Sequence, residues 1–274
     1  MPIVELFPFA STAIMLFFTI YVLQRYFVRR SPQFLFWGIG LAMFGAGSFA
    51  EAYLSLSWNR WMFFIWYLFG AVLNAAWIGH GTLCLLSRKK WVNVVTAVLV
   101  LASLVATYMM INTMPTLDES AFNTALPISE QYGSSILKPG QTVPAGAQTK
   151  IETIQGKQVT VVRGLLPPGA AVRMTTPFFN IYGLLTLVGG AIYSAFLFWR
   201  KRVLPNRVIG NVLIAAGALS IGFASVLTRL GNGRYLYLGE LLAVILMFCG
   251  FLTAGQPQPQ ERTSPQRASS SANG

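Results

Sequence analysis

The sequence contains very few charged side chains. Only 10% of its 274 residues are Asp, Glu, Lys or Arg, whereas 54% are hydrophobic. An average soluble domain has about a quarter of its residues charged. So little charge cannot cover the surface of a water-soluble protein of this length, which indicates that lipid surrounds much of the chain.

Histidine and cysteine are also scarce, and this excludes several kinds of site. There is one histidine, His80, and there are two cysteines, Cys84 and Cys249. Both cysteines fall inside apolar runs, so we expect reduced, buried packing residues and no disulfide framework. A single imidazole cannot build a bis-histidine haem site or a zinc site made mainly of histidines. The His-Glu-x-x-His, Gly-x-Ser-x-Gly and Walker motifs are missing too, and we predict no catalytic residue, metal or cofactor.

Seven apolar runs are long enough to cross a membrane, for which a helix needs about 20 residues. The predicted fold class is all-α, a bundle of seven transmembrane helices with a small β-containing extracytoplasmic insertion between helices four and five. The predicted helices lie at about 6–26, 33–57, 61–86, 91–113, 177–199, 207–229 and 235–254. The corresponding organisation is helices one to four in 1–113, an extracytoplasmic cap in 114–176, helices five to seven in 177–255, and a disordered cytoplasmic tail in 256–274.

The basic residues are placed unevenly along the chain and predict its orientation. With seven crossings the basic clusters all fall on one side, which the positive-inside rule assigns to the cytoplasm. We therefore expect a bacterial inner-membrane protein with its N-terminus outside, in contact with lipid and not with nucleic acid, since no soluble basic face is present. The clusters are Arg25, Arg29 and Arg30; Arg88, Lys89 and Lys90; Arg200, Lys201, Arg202 and Arg207; and Arg262 and Arg267. Aromatic residues near the predicted helix ends, Trp66 among them, are expected to be interfacial anchors.

The long connection between helices four and five contains a pattern typical of a β-hairpin. Residues 151–154 and 158–162 are rich in β-branched side chains, and a Gln155-Gly156-Lys157 turn separates them. Alternating β-branched segments around a glycine turn predict two antiparallel strands. A lone hairpin is marginal in water, so we expect this cap to lie on the bundle or on a partner.

Three ionisable residues fall inside predicted helices and are therefore candidates for function, because such groups are costly at membrane depth. They are Glu51 in helix two, His80 in helix three and Glu240 in helix seven. At about 1.5 Å per residue, both glutamates lie roughly 8–10 Å below the outer boundary.

Three arginines border the same outer surface as the two glutamates. They are Arg60, Arg229 and Arg234, and arginine side chains are long enough to reach such depths. One interpretation is a set of Glu–Arg pairs that lock helices two, six and seven together. The other is a polar outer pocket under the cap that binds a ligand or a lipid headgroup, with Glu51, Glu240 and these arginines as its ligand-binding residues.

His80 lies between two glycines in the segment Gly79-His80-Gly81, which allows a neighbouring helix to approach closely. A single histidine in such a place is typical of a hydrogen bond between helices. Proton transfer through His80 is the functional alternative.

Two blocks of the sequence carry a family resemblance. The segments FWGIGLAMFGAGSFAEAYLSLSWNRW and YLFGAVLNAAWIGHGTLCLL, and the later block from FNIYGLLTLVGGAIYSAFLFWRKR to GNVLIAAGALSIGFASVLTRLG, resemble uncharacterised bacterial seven-helix membrane proteins. More distantly, they are similar to the seven-helix input modules of bacterial sensor kinases. Those modules continue into cytoplasmic catalytic domains, whereas this sequence ends in the predicted tail, so we expect any signal to pass through another protein.

These observations lead to three functional hypotheses. The first is a non-enzymatic, sensor-like or accessory subunit of a membrane complex that binds a ligand or partner on its outer face. The second is a small transporter or proton-linked carrier that uses Glu51, His80 and Glu240 along one path. The third is a membrane enzyme or haem protein, which colour and metal analysis would reveal.

Overall fold

The structure, a computed structural model, describes residues 6–87, 89–137, 148–154, 157–200, 205–228 and 234–256. Within these ranges, seven helices are long and apolar enough to cross a membrane, as the sequence predicted. The remaining regular structure is a small sheet and a few short helical turns between the fourth and fifth helices. The seven helices are α1 Phe7–Arg29, α2 Pro32–Leu54, α3 Arg60–Leu86, α4 Trp91–Thr113, α5 Val172–Arg200, α6 Pro205–Thr228 and α7 Arg234–Ala254.

Local sequence signals explain where several helices begin. Pro8 and Pro32 lie in the first positions of α1 and α2, where a missing N–H costs nothing. Asn59 caps α3, since its side-chain oxygen accepts hydrogen bonds from the backbone N–H groups of Trp61 and Met62. Three predicted boundaries differ by three residues or more: α1 ends three residues later, at Arg29, α2 ends three residues earlier, at Leu54, and α5 begins five residues earlier, at Val172.

A π-helical segment interrupts α3, which the sequence did not predict. Residues Trp66–Leu73 form the i→i+5 pattern, with α-helix before and after them. Beside it, α2 approaches unusually closely: a Cβ atom placed on Gly47 would lie 2.5 Å from the Cα atom of Gly70. Only glycine at both positions allows this contact, which brings the π segment against α2.

Helix packing closes into a bundle. Contacts join α1 to α2, α2 to α3, α3 to α5, α5 to α6 and α6 to α7, and α7 then packs against α1. A core cluster at the α1–α2–α7 junction contains Met15, Phe18, Phe44, Val244 and Met247. Cys84 is buried as predicted, whereas Cys249 is exposed on its helix, so the expectation of burial was wrong for that residue.

The segment between α4 and α5 forms the cap, defined here as residues 114–171. Strands β2 (Thr149–Ile154) and β3 (Lys157–Val162) pair antiparallel, with Ile151 opposite Thr160, which confirms the predicted hairpin. A third strand, β1 (Ser135–Ile136), pairs with the other edge of β3, giving the order β1-β3-β2. Residues 155 and 156 of the predicted turn and residues 257–274 of the predicted tail lie outside the described residues.

The cap rests on one end of the bundle, as the hairpin's marginal stability suggested. Leu117, Ile128 and Leu165 of the cap are buried in one core cluster with Phe63 and Tyr67 of α3. We call this end the cap end. The turn between α3 and α4 lies at the opposite, basic end, because the 23 residues of α4 separate it from the cap by about 35 Å.

Candidate functional site

The two predicted glutamates meet at the cap end of the bundle. Glu51 of α2 is 1% exposed, and its carboxyl group lies within hydrogen-bonding reach of the carboxyl group of Glu240 in α7. A carboxylate only accepts hydrogen bonds, so two carboxyl groups can bond each other only when at least one of them holds a proton. The pair can therefore share, take up and release a proton.

The depth of the pair differs between its two members. Glu240 lies six residues into α7, about 9 Å along the helix, as predicted from the sequence. Glu51 lies only three residues before the end of α2, about 5 Å, because that helix ends earlier than predicted. Glu51 is nevertheless buried, since α3 packs against this end of α2 and Glu240 of α7 reaches the Glu51 carboxyl group.

Trp66 is the third member of the site. Its side chain lies within hydrogen-bonding reach of the Glu51 carboxyl group. Its ring also packs against Tyr132 of the cap, with the ring centroids 5.8 Å apart. The expectation that Trp66 is an interfacial anchor was wrong, because the residue is 7% exposed and belongs to the core beneath the cap. Trp66 thus touches both the carboxyl pair and the cap.

Several buried oxygen atoms near this end of the bundle have no hydrogen-bond partner. Among the described residues they include one carboxyl oxygen of each glutamate, Oε1 of Glu51 and Oε2 of Glu240. They also include the hydroxyl groups of Ser11 in α1 and Ser48 in α2, which are 0% and 1% exposed. Buried polar groups are normally paired, so each such atom needs an explanation.

Of the three predicted arginines, the structure describes the side chain of Arg60, which pairs with the cap and not with the two glutamates. Arg60 turns to the cap, where its guanidinium forms an ion pair with Glu119, and its Nε donates to Glu119 Oε1 over 2.6 Å. The Trp58 indole N–H donates to the other oxygen of Glu119 over 3.0 Å. Arg229 and the side chain of Arg234 lie outside the described residues. Arg60 thus ties the start of α3 to the cap.

A second ion pair holds the cap itself together. Arg163, which follows β3, donates from Nε and from a terminal nitrogen to the carboxylate of Asp118, with distances of 3.0 and 2.7 Å. Hydrogen bonds from Arg163 hold the pKa of Asp118 below its usual value, and those from Arg60 do the same for the pKa of Glu119. Both carboxyl groups are therefore ionised at neutral pH.

His80 lies elsewhere in the bundle. Its ring packs edge-on against Phe36 of α2, with centroids 4.6 Å apart, and Phe36 is about 22 Å along α2 from Glu51. His80 Nε2 lies 2.8 Å from the Thr96 hydroxyl, and Nδ1 lies 2.7 Å from the Tyr182 hydroxyl. The histidine therefore forms the hydrogen bonds to neighbouring helices, α4 and α5, that its structural interpretation predicted.

For a neutral ring, the hydrogen bonds of His80 also define which nitrogen carries the hydrogen. The Thr96 hydroxyl donates its hydrogen to the carbonyl of Val92 over 2.9 Å, so it must accept from His80. Nε2 therefore carries the ring hydrogen, and Nδ1 of the neutral ring accepts from the Tyr182 hydroxyl. Both ring nitrogens are paired in this arrangement.

The sequence identified the two glutamates of the site but did not identify Trp66, Ser11 or Ser48. A signal for Ser48 was present, because it lies three residues before Glu51 and so on the same face of α2. Nothing comparable identified Ser11, since the two glutamates and Ser48 lie on other helices. No protein-family model matches the chain, and a search of curated proteins finds no match either.

Proposed function

We propose that the protein is an integral membrane protein of the bacterial inner membrane, with its N-terminus and cap outside. The seven helices have the required length and composition. Large apolar side chains lie exposed along the helix surfaces, among them Phe17, Leu101, Phe178 and Phe223, and lipid is the solvent that suits such a surface. The basic end carries Lys89 and Lys90, which suits the cytoplasmic side.

We further propose that the protein is a sensor-like or accessory subunit that binds a small cationic ligand, a proton in the simplest case, at the Glu51–Glu240 pair. The observation that carries this proposal is the contact between two carboxyl groups from helices distant in sequence, one of them fully buried. Binding or loss of a charge changes the hydrogen bonds that the pair can form.

A change in the hydrogen bonds of the glutamate pair reaches the cap through Trp66. Its indole contacts the Glu51 carboxyl group on one side and the cap residue Tyr132 on the other. Tyr132 is held in turn by Arg173, whose guanidinium lies 5.7 Å from the tyrosine ring centroid. Occupancy of the pair would thereby alter the cap, which would present the signal to a membrane-protein partner.

The proton-linked carrier is less well supported by the geometry. That hypothesis needs Glu51, Glu240 and His80 along one path. His80 is separated from the level of Glu51 by about 22 Å along α2, and both of its ring nitrogens are engaged with Thr96 and Tyr182. These contacts favour a structural role for the histidine.

Hydrogen–deuterium exchange of the cap tests the proposal. The full chain in lipid nanodiscs is compared between about pH 5.5 and 8.5, where the low pKa values of Asp118 and Glu119 keep both ionised. After correction for intrinsic exchange rates, we expect protection of residues 117–137 and 157–171 to change with pH. The change should disappear in the Glu51→Gln/Glu240→Gln variant.

Two tryptophan variants distinguish transmission of the signal to the cap from ligand binding at the glutamate pair. Trp66→Phe should uncouple the cap from pH, because it removes the indole N–H that reaches Glu51. Trp61→Phe is the matched control, since Trp61 is 62% exposed and packs on Phe64 of its own helix. Cap protection that responds equally in the wild type and in Glu51→Gln/Glu240→Gln would refute the proposal.

A further inference from the structure

We propose that the carboxyl pair is part of a four-residue site for a small alkali cation, Na⁺, in which Ser11 and Ser48 supply the other ligands. The inference rests on the proposed function, because it takes the same glutamate pair as the binding site and names its ligand. Four buried oxygen atoms without hydrogen-bond partners, on Ser11, Ser48, Glu51 and Glu240, are the ligands of this site.

Helix register brings Ser11 to the level of Ser48. A Cβ atom placed on Gly45 of α2 would lie 3.2 Å from the Cβ atom of Met15 in α1, so these two positions face each other. The helices run antiparallel, and one turn towards the cap end leads from Met15 to Ser11 and from Gly45 to Ser48. The two hydroxyl groups are therefore on facing turns of adjacent helices.

Glu240 lies at the same level on the third helix. The rings of Phe18 in α1 and Phe248 in α7 are 5.0 Å apart, and α1 and α7 run parallel. Moving about two turns towards the cap end from this contact leads to Ser11 on α1 and to Leu241, the neighbour of Glu240, on α7. The direct approach of Glu240 to Glu51 agrees with this register.

The side chains also share the correct helix faces. Ser11 lies four and seven residues before Met15 and Phe18, and Glu240 lies four and seven residues before Val244 and Met247. All four of these apolar residues belong to the core cluster at the α1–α2–α7 junction. Residues at such spacings project from one face of a helix. Ser11 and Glu240 therefore extend the apolar seam by one turn towards the cap end, on the helix faces that border the junction.

The hydroxyl groups of these two serines differ from several others in the bundle. Ser103 and Thr107 of α4 each donate to the carbonyl four residues earlier, over 2.7 and 2.8 Å. A serine inside a helix can usually satisfy itself in this way. Ser11 and Ser48 do not, so their oxygens stay available to a ligand at the junction.

The donor set and its charge select the ligand. All four groups offer oxygen, which suits hard cations and not the softer transition metals. Two carboxyl groups in hydrogen-bonding contact hold at least one proton, so the pair carries at most one negative charge. One monovalent cation neutralises that charge, and a buried site is stable only when its charges are compensated.

Binding of radioactive ²²Na⁺ to the purified full chain, measured in choline chloride buffer, tests the inference. We expect saturable binding to the wild type and loss of binding in Glu51→Gln/Glu240→Gln. Removing both hydroxyl ligands with Ser11→Ala/Ser48→Ala should raise the Kd on the order of tenfold or more, as losses of metal-site partners commonly do. Independently of any variant, replacing choline with Na⁺ should raise the Tm of the wild type.

Thr19→Val is the matched control. Thr19 also has a buried hydroxyl without a partner, on the same helix, but it lies two turns nearer the basic end. We expect its Kd for Na⁺ to stay within about twofold of the wild type, which is well below the tenfold that 1.4 kcal/mol represents. An equal loss in Thr19→Val, or wild-type affinity in Ser11→Ala/Ser48→Ala, would overturn the four-residue site.

The outcomes separate this inference from the proposed function. If the wild type binds no Na⁺ but its cap protection still depends on pH through Glu51 and Glu240, the cation site is refuted and the proposed function stands. If the wild type binds Na⁺ but its cap responds neither to pH nor to Na⁺, the cation site stands and the proposed function is refuted. If it binds no Na⁺ and the cap does not respond to pH, both are refuted. Binding of Ca²⁺ in preference to Na⁺ would contradict the charge argument.

Discussion

The bundle contains two buried polar sites that differ in one respect. Around His80, each ring nitrogen has a partner, and the partner Thr96 is itself bonded to a backbone carbonyl. Around Glu51, the carboxyl pair and the neighbouring serines retain oxygens without partners. Burying polar groups costs free energy at both sites, but only around His80 do the site's own hydrogen bonds offset that cost.

The difference indicates what each site is for. A fully paired buried network stabilises one arrangement of helices, since opening it would leave several polar groups unsatisfied. An incompletely paired site is less stable alone and gains when a further ligand completes it. We therefore assign a structural role to His80 and a binding role to Glu51 and Glu240, and the following predictions test that contrast.

The largest effect on stability is expected for His80→Leu. The substitution removes two hydrogen bonds and leaves the partly buried Tyr182 hydroxyl without its acceptor. Unpaired buried groups cost about 1–3 kcal/mol each, so we expect a loss of about 2–4 kcal/mol in the free energy of unfolding. Thermal unfolding in detergent measures it. A variant as stable as the wild type would remove the contrast between the two sites.

Tyr182→Phe should cost less, about 1–2 kcal/mol, because only the bond to Nδ1 is lost. The chain has a single histidine, so ¹⁵N-histidine labelling of an untagged protein gives the spectrum of one imidazole. We expect the neutral ring with hydrogen on Nε2. A spectrum with hydrogen on Nδ1 instead would contradict the assigned direction of both hydrogen bonds.

The sequence predicted the helices because apolar runs of membrane length are a strong signal, and it predicted the β2–β3 hairpin because β-branched residues alternate around Gln155-Gly156. It placed Glu51 and Glu240 on the same side because helix count determines direction. It could not predict Trp66 in the site, because an aromatic residue near a helix end is equally typical of an interfacial anchor. It also could not decide the partner of Arg60, since Glu119 approaches only after the cap folds.

The cap contains another paired polar site, the Asp118–Arg163 ion pair, and its loss should cost less than that of His80. Asp118→Asn removes the charge that holds two nitrogens of Arg163, and we expect a loss of about 1 kcal/mol, since the pair is partly exposed to water. Because its pKa is lower in the folded cap, ionised Asp118 stabilises the cap at neutral pH, and this contribution is lost as the pH falls below about 4. Exchange protection of residues 157–163 across an acid titration measures it. Equal acid sensitivity of the wild type and Asp118→Asn would exclude this cause.

The smallest effect is expected at the carboxyl pair. Replacing both members together, in Glu51→Leu/Glu240→Leu, removes two incompletely paired groups and leaves no isolated charge. Such replacements are often neutral or stabilising, so we expect a change within about 1 kcal/mol or a gain in stability. Calorimetry of this variant and of His80→Leu under the same conditions compares the two changes in stability. A loss as large as that of His80→Leu would show that the pair fastens the helices.

The π segment of α3 affects how this helix accommodates its own length. Residues Trp66–Leu73 include more residues per turn than an α-helix, so the segment takes up about one extra residue while the α-helical parts on either side keep nearly the same phase. The same extra residue in a regular α-helix would rotate everything before it by about 100° relative to everything after it. The wide turns therefore let Trp66 stay beside Glu51 while His80 keeps its partners on α4 and α5. Deleting one codon there would convert the segment to a regular α-helix without separating these two sets of contacts.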